Sequence, residues 1–177
     1  MHLYNNKIIY NLITHGSYYQ TKSISNLIYE HLQKPNIKNK IKNKNVYNDR
    51  YNNNNDLFIH IRLTDAAHLN PGLTYYTKAI SSINFENIYI ATDDINHPII
   101  KDLQSLYKNV DMFIKDEIET IQFGSTCKNI ILSHGSFSSV IGYLAYNSTI
   151  YYPEYESDKI WYGDMFSIEG WNKIIHK

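Results

Sequence analysis

A chain of 177 residues is long enough for one domain with a real core and too short for two of ordinary size. Its 17 lysines and arginines balance 17 aspartates and glutamates, so no global field draws it to nucleic acid or anionic lipid, and any partner has to be recognised locally. A single cysteine, Cys127, excludes an internal disulfide and a cysteine-rich zinc site and reads as a small core residue.

The opening MHLYNNKIIYNLITHGS is interrupted by asparagines and a lysine. It lacks the apolar core of a signal peptide and the length of a membrane span, so a soluble, cytoplasmic protein is expected. Over residues 21–33, Ile24, Leu27, Ile28 and Leu32 recur at helical spacing and Pro35 stops the pattern. Residues 1–33 are therefore expected to pack on the main domain as a strand and helix segment. Residues 34–55, KPNIKNKIKNKNVYNDRYNNNN, are dominated by lysine and asparagine and read as a flexible linker or surface loop. Five lysines between Lys34 and Lys44 form a solvated charge run and receive no function.

Residues 56–177 make up the main domain. Short apolar runs at 57–61, 87–91, 110–114, 129–132 and 149–152 suit buried strands. Between them, Leu73, Tyr76, Ile80 and Ile83 mark one helix. Pro98 opens another, with Ile99, Ile100, Leu103 and Leu106 behind it. A third is expected over 137–146, burying Val140, Ile141 and Leu144. A last helix is expected to start at Ser167 as N-cap and to bury Ile168, Trp171 and Ile175. This alternation predicts an α/β fold, a Rossmann-like parallel sheet with helices on both faces and right-handed crossovers.

In such sheets ligands bind beyond the carboxyl ends of the strands, which directs attention to three segments. The first is IHIRLTD, 59–65. His60 and Arg62 share one face of an extended strand, and the guanidinium fork could meet a phosphate or pair with Asp65. The second is IYIATDD, 88–94, where Asp93 or Asp94 could accept the paired N–H donors of a guanine edge, or could simply cap a turn. Two adjacent acids without further ligands are a poor metal site. The third is ILSHGSFSS, 131–139, where a hydroxyl-rich turn enters a helix and offers backbone N–H groups to an anion. Ordinary N-capping by Ser136 is the alternative there. Neither a hydrolase nucleophile elbow nor a Walker loop is present.

Together the three segments resemble the fucosyltransferases with an H-x-R-R-x-D type motif, most of all the alpha-1,2-fucosyltransferase-like group (glycosyltransferase family 11-like), and more widely the alpha-1,6 and protein O-fucosyltransferases. IHIRLTD is similar to the first motif, IYIATDD to the acidic second, and ILSHGSFSSVIGYLAYNSTIYYP to the serine-rich third. Tyr18, Tyr19 and Gln20 with the helix that follows extend the similarity upstream. The resemblance implies the nucleotide-binding domain of a GT-B enzyme, GDP-fucose as donor, inverting transfer to a glycan hydroxyl, and no metal or cofactor. It assigns Arg62 to the donor's β-phosphate as the catalytic group and His60 to ribose or phosphate. Asp93 or Asp94 falls to the base, and Ser136, Phe137 and Ser138 fall to phosphate or ribose. Leu63 stands where the motif has its second arginine, and the family's G-L-G-N-Q opening has no counterpart. The acceptor side is accordingly expected from a partner chain or a homo-oligomer. A non-catalytic nucleotide-sugar-binding module, or one subunit of a split transferase, is the alternative reading.

Overall fold

The computed structural model describes residues 21–154 and 163–176. Six parallel strands form one sheet: β1 (Leu57–Ile61), β2 (Ile88–Thr92), β3 (Val110–Met112), β4 (Asn129–Ile131), β5 (Thr149–Pro153) and β6 (Asn172–Ile174), in the order β3-β2-β1-β4-β5-β6. That order reverses direction between β1 and β4, which makes their carboxyl ends the topological switch point.

The alternation of side chains along β1 divides the core. Leu57, Ile59 and Ile61 face α3 (Leu73–Ser81) and α4 (Pro98–Leu106), packing with Tyr75, Tyr76, Ile80, Ile100 and Leu103. Phe58 faces the other way, toward Phe123 of α5 (Glu117–Gly124) and Ile141 of α6 (Ser136–Tyr143). The sheet is thus covered by helices on both faces, as the alternating pattern predicts. Every residue of β1 is buried, and each large apolar side chain so buried contributes roughly 1.5–3 kcal/mol. The strand that ends at the switch point is therefore firmly held. Cys127 is buried in the second cluster.

Two segments differ from expectation. Residues 34–55 are no linker: they contain α2 (Pro35–Lys44) and a 3-10 turn at Asn48–Arg50. Pro35 occupies the first turn of α2 as well as ending α1 (Lys22–Leu32), the role its fixed φ suits. Two of the lysines that look merely solvated place their ammonium groups over aromatic rings, Lys42 Nζ over Tyr51 at 4.6 Å and Lys38 Nζ over Tyr146 at 5.1 Å. Asn45, buried at the end of α2, donates to the Gln122 carbonyl at 2.9 Å. Arg50 pairs with Asp56 at 2.7 Å and lies over Phe123 at 4.3 Å. In α1, Tyr29 meets Tyr143 and Trp171, each with ring centroids 6.1 Å apart.

The second difference is at the C-terminal end. Residues after Ser167 form no helix; Gly170, at φ +85°, turns the chain, and 172–174 pair in parallel with β5. The amide of Ser167 is itself tied to Asp164 Oδ1 at 2.9 Å. The apolar spacing of Ile168 and Trp171 serves a turn closed by a 3.1 Å bond between their backbones, and the open edge of β5 gains a strand. Tyr18, Tyr19 and Gln20 lie outside the described residues.

Candidate functional site

The switch point is built on a buried polar floor. His60, 6% exposed, points from β1 to the fully buried Ser138, with Nδ1 and Oγ 3.0 Å apart. Ser138 Oγ also accepts from the Ser133 amide at 2.9 Å. Ser133 Oγ in turn lies 3.2 Å from His134 Nδ1, accepts from Tyr76 OH at 3.3 Å, and receives the Arg62 amide at 3.4 Å. Asn70 donates to the Arg62 carbonyl and to Tyr76 OH, both at 3.0 Å. Strands β1 and β4, helix α6 and the loop after β1 are thus joined through side chains where the ladder hydrogen bonds run out.

Burial pushes His60 down to about 3, with Arg62 and His134 adding to the shift and Asp93 opposing it. His60 is therefore a neutral ring at physiological pH. Its plane meets Phe137, centroids 5.0 Å apart. His134 is pushed down to about 4, chiefly by burial and then by Arg62. Its Nε2 is buried without a hydrogen bond of ordinary geometry, although the Ala66 carbonyl acts in favour of the charged form.

Above this floor the groups are open. Arg62, about a third exposed, reaches Asp65 Oδ1 with Nε at 3.1 Å and Nη2 at 2.6 Å. Both donors fall on one oxygen, so this is not a fork-to-fork pair. Beside it, Gly135 is the N-cap of α6 with φ +89° and no side-chain cap. A Cβ there would stand 3.9 Å from Arg62 Cδ. The Ser136 N-capping reading is thereby corrected: Ser136 is the first helical residue, exposed, and its hydroxyl does not close the helix end. The first-turn amides of Ser136, Phe137 and Ser138 are left for an external acceptor.

The two aspartates beyond β2 shape turns. Asp93 accepts from the Leu63 amide at 2.6 Å, the Thr64 amide at 3.3 Å and the Thr64 hydroxyl at 2.6 Å. Burial would raise its carboxyl, but these donors outweigh burial and hold it below the usual carboxylate range. Asp94 accepts from the Asn96 amide at 3.0 Å. The turn-forming alternative therefore describes what both carboxylates do.

A cavity of about 230 Å³ adjoins the switch point on the β2–β3 side. His60, Arg62, Asp93 and Phe137 line it, together with residues that sequence reasoning passed over: Phe113, Ile114, Lys115, Glu117 and Thr120. These follow β3, whose carboxyl end obeys the same rule as the three ends singled out. The run FIKDEIET, a strand end leading into an acidic helix start, was the available signal. Ser136, Ser138 and Asp94 do not line the cavity. No group of three or more metal-ligating side chains exists among the described residues, and no described helix is long and apolar enough to cross a membrane.

The fold and site define a Rossmann-like α/β protein whose switch point presents a guanidinium beside an uncapped helix start. No protein-family model and no curated protein matches the sequence. Among solved structures, the chain is similar to NodZ alpha-1,6-fucosyltransferase, seen in a crystal soaked with GDP-fucose, with a TM-score of 0.39 and 15% identity over 63% of this chain and 42% of that one. The similarity thus spans less than half of that protein's length.

Proposed function

We propose that the crevice at the carboxyl ends of β1 and β4 binds the diphosphate of a nucleotide sugar, and that the chain serves glycosyl transfer, with GDP-fucose as the donor its motifs imply. The observation that carries this reading is the meeting of Arg62 with the uncapped start of α6. A mobile cation and a set of fixed N–H dipoles then face one anion from two sides. Arg62 keeps enough exposure to turn from Asp65 to a phosphate, and the neutral His60 beneath adds no competing charge.

In transfer, the acceptor hydroxyl oxygen bonds to the anomeric carbon and loses its proton to solvent, as the bond from that carbon to the β-phosphate oxygen breaks and the diphosphate takes the electron pair. Arg62 and the α6 amides stabilise that growing charge; loss of one such preorganised donor typically costs roughly 3 kcal/mol of barrier. With Leu63 in place of a second arginine, Arg62 supplies the only guanidinium in this motif.

Calorimetry with GDP, UDP and ADP tests the binding step, and GDP release from GDP-fucose in the presence of glycan acceptors tests transfer. Arg62→Ala is expected to abolish diphosphate binding in a folded protein. Unchanged affinity in that variant would remove the assigned role. Binding without turnover on any acceptor would instead favour a non-catalytic module.

A further inference from the structure

Two charged side chains, Lys115 and Glu117, stand in the lining of the cavity beside the crevice. They flank the N-cap of α5. The cap is completed by Asp116, which accepts from the Glu119 amide at 2.8 Å, so neither neighbour is needed to finish the helix. Neither side chain makes a hydrogen bond or ion pair with any described residue. Glu117 stands one turn before Thr120, a second lining residue, so both look into the same space from one helix face. The other lining carboxylate, Asp93, is already committed to the amides and hydroxyl of the loop after β1. Glu117 is thus the lining carboxylate with its oxygens free.

The walls around this pair combine two aromatic rings with polar groups. Phe137 lies on one side against His60, and Phe113 lies on another, its outer neighbour Ile114 being 67% exposed. A flat heterocycle entering between such walls would find its sides covered and its edge facing an ammonium and a carboxylate.

We infer that Lys115 and Glu117 read the edge of the donor's base and select a guanosine diphosphate compound over other nucleotides. This rests on the diphosphate reading of the adjoining crevice. Guanine presents a carbonyl oxygen next to two neighbouring N–H donors, so an ammonium can donate to the former while a carboxylate accepts the latter pair. Adenine offers an amino group where guanine has its carbonyl and an acceptor where guanine has a ring N–H, which sets both protein charges against it. Uracil offers one N–H and leaves half of the carboxylate unpaired.

The test compares GDP, IDP, ADP and UDP by calorimetry on the full chain and on two surface variants. IDP keeps the guanine carbonyl and ring N–H and lacks only the exocyclic amino group. The unmodified protein is expected to bind GDP about tenfold more tightly than IDP, the value of one charge-assisted hydrogen bond. Glu117→Ala should bring the GDP-to-IDP ratio to about one, whereas Lys115→Ala should weaken GDP and IDP by the same factor, about tenfold, and keep their ratio. A GDP preference that survives Glu117→Ala, or no preference for GDP over IDP in the unmodified protein, overturns the base-reading assignment while leaving diphosphate binding in place. Failure of all four nucleotides to bind overturns the crevice reading itself and this inference with it.

Discussion

Acidification from pH 7 to pH 5 isolates the two buried imidazoles at the switch point. His60 is held near 3 and His134 near 4, in both cases first by burial, whereas an unfolded chain protonates histidine near 6.5. The unfolded state therefore binds more protons throughout the interval, and stability falls as pH falls. The contribution is complete above about pH 6.5 and is lost progressively toward the two depressed values. At about 1.4 kcal/mol per pH unit, His60 alone accounts for about 2 kcal/mol between pH 6.5 and 5, and the pair for about 4 kcal/mol. Asp93, the carboxylate whose charge acts on both rings, is held below the usual carboxylate range and adds little over this interval. Urea unfolding at pH 7 and pH 5 measures the difference, and His60→Asn, which keeps a polar partner for Ser138, should reduce the drop by about half. A stability that changes by less than about 1 kcal/mol over that interval would refute the burial of neutral rings from which the magnitude is worked.

Other substitutions probe the same region. Ser138→Ala removes the acceptor of the buried Ser133 amide and the partner of His60 Nδ1, and should cost about 2–4 kcal/mol in denaturant unfolding, since each orphaned group carries its own desolvation. Asp93→Ala frees the loop after β1 from three hydrogen bonds; hydrogen exchange at the Leu63 and Thr64 amides should accelerate while the amides of β1 stay protected. Gly135→Ala meets no steric block, its nearest contact being 3.9 Å, so its cost of about 1–3 kcal/mol in thermal unfolding comes from the positive φ alone.

The legible parts of the chain were those where one physical requirement fixes the residue type. Strand β1 announced itself because a strand buried on both faces needs an apolar run, and Pro98 announced α4 because a first turn wants a fixed φ and no N–H. The helix at 35–44 was hidden because contacts that hold it, the Lys38 ammonium over Tyr146 and Asn45 on the Gln122 carbonyl, lie between residues far apart in sequence. The C-terminal strand was hidden for a related reason. Ile168 and Trp171 satisfy a helical spacing, and only the vacant edge of β5 and the backbone at Gly170 decide against it. At the site, Arg62 was visible from its strand, but the role of Asp93 was not, because two adjacent aspartates look alike until the loop they hold is placed over them.

The division between floor and mouth supports the proposal that a single arginine serves the crevice. His60, Ser133, Ser138, Tyr76 and Asn70 bond to one another in the floor below the crevice and so fix the end of β1 against the start of α6. What stays unsatisfied is displayed above it: the guanidinium of Arg62, shared only with the exposed Asp65, and the first-turn amides of α6. An exposed pair of this kind contributes at most about 1 kcal/mol, so releasing Asp65 for the proposed phosphate would cost the fold little. Arg62→Ala should accordingly leave the unfolding midpoint within a few degrees of the parent while removing GDP affinity. A large fall in stability would mean that Arg62 belongs to the floor after all, and would remove its proposed role as the phosphate grip.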